Sequence, residues 1–198
     1  MIEDSLSAQD RQIGEFIRNL SGLDDGERAR LKRNAGKSIA ESHQAQLLFY
    51  RRVLPRGVAA RQEEPYFLIA TLYPLDKGQR NRDRRAVDRL DEPDETTASA
   101  SPAGGSFGAS FRRARTEQNQ TGLDRRFARL LDAAAEDLPF QLRQAVMRLA
   151  NEDVFIDWPQ LTRDILRWNQ SERRVQRRWA RDYVYAAAEP QNQQPQTA

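Results

Sequence analysis

The stretch RWNQSERRVQRRWARDY, residues 167–183, sets six arginines beside two tryptophans and a tyrosine. Guanidinium forks bind phosphate or carboxylate bidentately and stack on flat rings. Aromatic side chains can stack on bases. At ~3.6 residues per turn, however, Val175, Trp179, Tyr183 and Ala186 share one face of a helix. Arg174, Arg178 and Arg181 lie together on a flank, and Arg173 and Arg177 fall farther round. The spacing therefore predicts core aromatics and a separate arginine stripe, only partly neutralised by Glu172 and Asp182.

Three other basic sets stand out: Arg51 with Arg52, Arg112 and Arg113 with Arg115, and Arg125 and Arg126 with Arg129. In SFGASFRR, two forks follow a glycine-bearing turn, where backbone and side chains can both approach a phosphate. The candidate nucleic-acid-binding residues are Arg112, Arg113, Arg125 and Arg126, with Arg51 and Arg52 as their N-terminal counterpart. Arg174, Arg178 and Arg181 are the secondary candidates. The competing reading has Arg125 and Arg126 in salt bridges with Asp124, Glu136 or Asp137.

No residues assemble a catalyst. His43 is the only histidine, in the polar stretch SHQAQ, where an exposed helix position is expected. GGSFGAS lacks the GK[ST] ending of a phosphate-cradling loop, and no strand precedes it. Glu136-Asp137 and Glu152-Asp153 sit at helix ends, where carboxylates suit a neighbouring helix dipole or solvent. With no cysteine there is neither a disulfide nor a thiolate metal site. The expectation is a protein without enzymatic activity, cofactor or metal.

The elements that must position the arginines follow from periodicity. In RQIGEFIRNL, Ile13, Phe16, Ile17 and Leu20 form one apolar stripe, stopped at Ser21-Gly22. LDDGERARLKRNAG predicts a helix capped by Asp24 or Asp25 and closed by Gly36, with Arg28, Arg30, Lys32 and Arg33 largely in solvent. ESHQAQLLFYRRVL predicts a third helix that buries Leu47, Tyr50 and Leu54 and ends before Pro55. EEPYFLIATLY, apolar almost all round, predicts a buried helix with Pro65 in its first turn.

From Pro74 to about Ser106 the pattern dissolves into basic, then acidic, then Gly/Pro-rich sequence. A long loop is expected there, disordered at least over DEPDETTASASPAGG. FGASFRRAR then predicts a short helix. LDRRFARLLDAAAED follows with Leu123, Phe127, Leu130, Leu131 and Ala134 inward. LPFQLRQAVMRLAN buries Leu142, Ala145, Val146 and Leu149. IDWPQLTRDILRW, capped by Asp157, buries Trp158, Leu161, Ile165 and Trp168. The last helix is capped by Ser171. The predicted fold is all-α. A helical region over 1–73 is separated by the loop 74–105 from an antiparallel helical bundle over 106–187, and 188–198 is a disordered tail.

The chain has 198 residues, 38% hydrophobic and 31% charged, with a formal net charge of +3. Its mean hydropathy is −0.84 and its pI about 9.5. No apolar run of about 18 residues is present to span a membrane. MIEDSLSAQDRQ lacks a basic-then-apolar leader pattern, so a cytoplasmic protein is expected. Lys32, Lys37 and Lys77 are the only lysines, leaving 32 − 3 = 29 arginines. Phosphate recognition and a GC-rich genome both account for that ratio. Residues 106–185 carry 15 arginines against 11 carboxylates, net +4, so the excess lies in the bundle. Composition leaves two readings open, a nucleic-acid-binding protein and a helical scaffold or adaptor for acidic protein partners.

A set of blocks in fixed order bears on the choice: LDDGERARLKRNAG, FYRRVLP, YFLIATLY, SFGASFRR, LDRRFARLLDAAAEDLPFQLRQAV, IDWPQLTRDILRW and VQRRWARDY. Spread over residues 13–185, it resembles the CasB family, the small subunit of the type I-E Cascade CRISPR surveillance complex. Lys77–Gly104 departs from the family pattern, being longer and more charged. The resemblance implies an all-helical, non-enzymatic subunit, present as a pair of copies on the inner side of an RNA-guided complex. Its implied partners are the other Cascade subunits: the backbone subunits that coat the guide RNA, and the large subunit. Its basic surface would hold target DNA and the displaced strand of the R-loop.

Overall fold

Ten α-helices and no strand occur among the residues that the computed structural model describes, 2–88 and 105–185. The expectations for Asp91–Gly104 and for the tail with Ala186 fall outside these residues. Helix α1 (Ile2–Ser21) runs farther toward the N-terminus than its apolar stripe. Ile13, Phe16 and Leu20 are fully buried, and Ile17 packs half-buried beside them. Asp24 caps α2 (Asp25–Lys32) through a capping box, accepting from the Glu27 amide at 2.8 Å while Glu27 accepts from its own amide at 3.1 Å.

Helix α3 (His43–Leu48) continues into a π-helical turn, Phe49–Val53. The buried set lies one residue from the expected one, already at Leu48 ahead of that turn. Ala45, Leu48, Phe49 and Val53 are inside, whereas Leu47 is 56% and Tyr50 42% exposed. Phe49, with no polar atom, packs against Phe67, while the Tyr50 hydroxyl donates to Glu63 at the surface. Helix α4 (Ala60–Leu72) is the expected buried helix, every residue from Tyr66 to Leu72 being inaccessible or nearly so. Pro65 lies inside it rather than in its first turn, because the helix begins at Ala60.

The stretch expected to be loop from Pro74 contains a helix, α5 (Lys77–Asp88). It has little apolar surface to bury and docks through polar groups instead. Asp83, 8% exposed, accepts from Arg28 at 3.0 Å, from the Tyr73 hydroxyl at 3.0 Å and from Gln79 at 2.8 Å. Arg28 also donates to the carbonyls of Leu23 and Ser21, so it is buried and not, as expected, in solvent. Asp76 accepts from the Trp158 indole and from Arg82, both at 3.1 Å, and thereby ties the start of α5 to the C-terminal half. Burial above all, and then Asp83, drive the Tyr73 hydroxyl's pKa far above its ordinary value. The hydroxyl therefore stays a donor.

Helices α6 (Phe107–Arg113), α7 (Gln120–Leu131), α8 (Leu138–Asn151), α9 (Trp158–Leu166) and α10 (Arg174–Tyr185) form the C-terminal set. Helix α7 stops at Leu131, which leaves Ala134 exposed. Asp157 caps α9 by accepting from the Gln160 amide at 2.9 Å. Ser171 does not cap α10. A 3-10 turn occupies Ser171–Arg173, with Glu172 (φ 71°) and Arg173 (φ 50°) in the left-handed region. Arg173 is thereby aimed away from α10, onto the Leu131 carbonyl at the end of α7. A chain of rings, Phe111–Phe127–Tyr183 and Phe107–Trp179–Trp168, fills the interior at centroid spacings of 4.5–5.1 Å. The two halves share one core, joined by α4 and α1 against α9 and by Tyr73 against Trp158 at 5.1 Å.

Helices α6 and α10 cross at Gly108 with no side chain between them. A Cβ there would overlap the Trp179 carbonyl group and lie 2.8 Å from its Cα. Gly108→Ala should therefore cost about 3 kcal/mol or more, because backbone cannot step aside as a side chain can; chemical denaturation measures it. Asp83→Ala should cost about 3 kcal/mol by stranding the buried Arg28. Arg80→Ala, which breaks the exposed pair with Asp25, should cost under about 1 kcal/mol. Equal losses for the two would show that α5 does not dock through Asp83.

Candidate nucleic-acid interface

Ser106 begins α6, its hydroxyl accepting from the Ala109 amide, and Phe107 and Phe111 turn inward. Arg113 is left exposed and Arg112 half-buried. The next basic residue, Arg115, lies 5.7 Å over the Tyr183 ring and 3.6 Å from Asp124. The Tyr183 hydroxyl donates to the same carboxylate. Burial, then Asp124, pushes the Tyr183 pKa above its ordinary value, with Arg115 and Arg112 opposing. Arg112 and Arg115 therefore converge on the last turn of α10.

Asp124 is thus engaged by Tyr183 and Arg115 and pairs with neither Arg125 nor Arg126. On α7, Leu123, Phe127 and Leu130 face the core. Arg125, Arg126 and Arg129 are exposed, and none has an ion-pair partner among the described residues. Arg125 and Arg129 are one turn apart on the outer face, with Arg126 beside them. The anticipated bridges to Glu136 or Asp137 do not form. Arg129 joins the set because the nearest acid on its side of α7, Asp132, is engaged by Arg173.

Helix α10 presents Arg174, Arg177, Arg178 and Arg181 around a hollow that they alone line. Arg177 belongs with the stripe, contrary to its expected place farther round; the spacing i, i+3, i+4, i+7 was the available sign. Arg173 leaves it to bind Leu131 and Asp132. Beneath lies Asp164, 2% exposed, which accepts from Arg178, from the Trp179 indole at 2.6 Å and from Gln160 at 2.8 Å. Trp168, Trp179 and Tyr183 are core residues, as the periodicity indicated.

Arg51 and Arg52 project from the π-helical turn into a groove whose other wall is α2. Arg30, Arg33 and His43 line it with them. His43 is exposed, as anticipated. Glu27, the one acid in the groove, lies 3.5 Å from Arg52. That Arg30 and Arg33 face Arg51 and Arg52 is a tertiary fact with no mark in the local sequence. The three basic surfaces thus sit on α6–α7, on α10 and between α2 and α3. Among the described residues no group of three or more His, Cys, Asp or Glu is placed to hold a metal ion. No helix among them is long and apolar enough to cross a membrane.

Residues 27–184 match the family model for CRISPR-associated protein Cse2. A curated relative, CRISPR-associated protein Cse2 of Thermus thermophilus, is 34% identical over 130 residues. The match covers 65% of this chain and 62% of the relative, so it spans less than two thirds of that protein's length. The fold is similar to the crystal structure of a Cse2-family protein from Thermus thermophilus, with TM-score 0.61 and 25% identity over 90% of this chain and 98% of that one. It is also similar to M. ruber CasB, with TM-score 0.64 and 24% identity over 87% and 92%. A chain of a pre-nicking CRISPR RNA-guided surveillance complex gives TM-score 0.69 and 20% identity over 88% and 93%. At those last two identities the likeness concerns the fold.

Asp164 and Arg177 should separate support from surface. Asp164→Ala leaves the Trp179 indole without its acceptor and should cost about 1–3 kcal/mol. Arg177→Ala should stay within about 0.5 kcal/mol of the parent protein. Thermal melts of the two variants check both.

Proposed function

The chain belongs to the CRISPR-associated Cse2 family, and from that premise we propose that it is a non-enzymatic subunit of a type I-E Cascade surveillance complex. In this reading its arginine faces hold nucleic-acid backbone, both target DNA and the displaced strand, and so prolong the R-loop. The partners are the backbone subunits on the guide RNA, the large subunit and a second copy of this chain. The energetics suit such a protein. Exchanging a DNA duplex for a guide–target duplex is nearly balanced, so modest protein–backbone contacts decide whether the open state persists. Those contacts must ignore sequence, and phosphates carry none.

The observation that carries the reading is the outer face of α7, where Arg125, Arg126 and Arg129 stand exposed without an ion-pair partner among the described residues, Asp132 at the helix end being taken by Arg173. Like charges one turn apart cost about 0.2–0.5 kcal/mol per pair, a cost that an external polyanion reverses. Arg112 and Arg113 on α6, and Arg51 and Arg52 with Arg30 and Arg33 across their groove, are assigned the same role.

The test uses the assembled complex, co-purified with the other Cascade subunits and guide RNA, with nuclease treatment as a control. Arg125→Ala with Arg129→Ala should leave assembly and thermal stability intact while shortening R-loop lifetime on every target sequence. Its plot of log affinity against log salt should be shallower by about 0.9 for each duplex phosphate no longer neutralised, or about 2 in all. An unchanged slope and lifetime would remove α7 from the interface. Loss of assembly instead would identify these arginines as binding acidic protein, the adaptor function.

A further inference from the structure

We propose that the hollow formed by Arg174, Arg177, Arg178 and Arg181 is a phosphate seat, a fixed point at which α10 grips one strand, distinct from the open face of α7. The inference rests on the nucleic-acid reading above and adds a second, differently built site to it. Four guanidinium groups at i, i+3, i+4 and i+7 cover about 10 Å of helix axis. That length is enough for the four forks to face more than one phosphate of a single strand.

The charge arrangement inside the hollow is unfinished. Glu172 lies 2.9 Å from Arg174 and Asp182 4.0 Å from Arg181, so the local carboxylates reach only the two ends. Both arginines are about 70% exposed, and ion pairs at such sites contribute little and yield readily to a polyanion. Arg177 has no partner among the described residues, and the Arg178 Nε–H is buried without an acceptor. Asp164 holds Arg178 from below, which makes it a positioning residue: a restrained fork loses less freedom when a ligand binds.

The lining favours phosphate over an acidic protein segment. The four guanidinium groups alone line the hollow, and the exposed Val184 and Tyr185 lie one turn beyond Arg181 rather than at its centre, where protein interfaces place their apolar anchors. A phosphodiester offers its paired oxygens to several forks at once, while carboxylates on separate stems pair one by one, as Glu172 does.

The structure supplies its own reporter, because the Trp179 indole and Arg178 share Asp164. Tryptophan fluorescence of the full chain would be titrated with pyrophosphate, with a ten-residue oligothymidylate and with polyglutamate of equal charge. Pyrophosphate and oligothymidylate should give saturable changes. Arg177→Gln with Arg181→Gln should weaken both at least tenfold without moving the melt. Arg125→Ala with Arg129→Ala should weaken the oligonucleotide and leave pyrophosphate unaffected. Oligonucleotide binding abolished in the α7 variant yet intact in the α10 variant would overturn the seat and leave the nucleic-acid reading standing. Polyglutamate binding tighter than the oligonucleotide and dependent on Arg177 would overturn both.

Discussion

The contact on which the rest of the C-terminal half depends is that of Gly108 with the backbone of Trp179. Helix axes pack 8–10 Å apart when ordinary side chains separate them, and here none does. The close crossing lets Phe107 and Phe111 enter the ring chain with Trp179, Phe127 and Tyr183. It also fixes the relation between two arginine-bearing helices. Arg112 and Arg113 on α6 and the stripe on α10 are carried by one rigid layer, whose core is aromatic and whose outer surface is guanidinium.

The protein sorts its arginines into two populations that are chemically identical. One belongs to the fold: Arg28 sits under α5, Arg173 caps the end of α7, Arg178 rests on Asp164, and Arg163 reaches Asp10 on α1 at 2.7 Å. The other population, with Arg125, Arg126, Arg129 and Arg177, is exposed and unpaired among the described residues. Support and exposed surface are thus built from one side chain. A long apolar stem packs well, and the fork meets carbonyl, carboxylate and phosphate with the same geometry.

This double use explains what was legible in the sequence. Helices α8 and α9 could be placed by their stripes because Leu142, Val146, Leu149, Leu161 and Ile165 do nothing but fill the core. Helix α5 escapes periodicity because its docking runs through Asp83, Arg28 and Tyr73, a network that no hydrophobic period marks. The one-residue shift in α3 is present already at Leu48, where the adjacent pair Leu47-Leu48 offers spacing two apolar faces to choose between. At the start of α10, Arg173 adopts a left-handed backbone to reach α7, overriding the capping preference of Ser171. Of the candidate site, single-helix sets such as Arg125 with Arg126 could be read. The pairing of Arg30 and Arg33 with Arg51 and Arg52 required the fold.

The proposed R-loop role would demand rigid placement together with indifference to sequence, and the division of arginines would meet both demands. Interactions with phosphate are individually weak in salt and gain their effect from number and from fixed geometry. A flexible basic tail supplies number alone. Helices locked by a backbone crossing and an aromatic core supply geometry as well, so that in the proposed role removing one surface guanidinium would take away one phosphate partner without disturbing its neighbours. In that role the surface would tune in small steps how long an open duplex persists. The guide would then keep sole control of which duplex is opened.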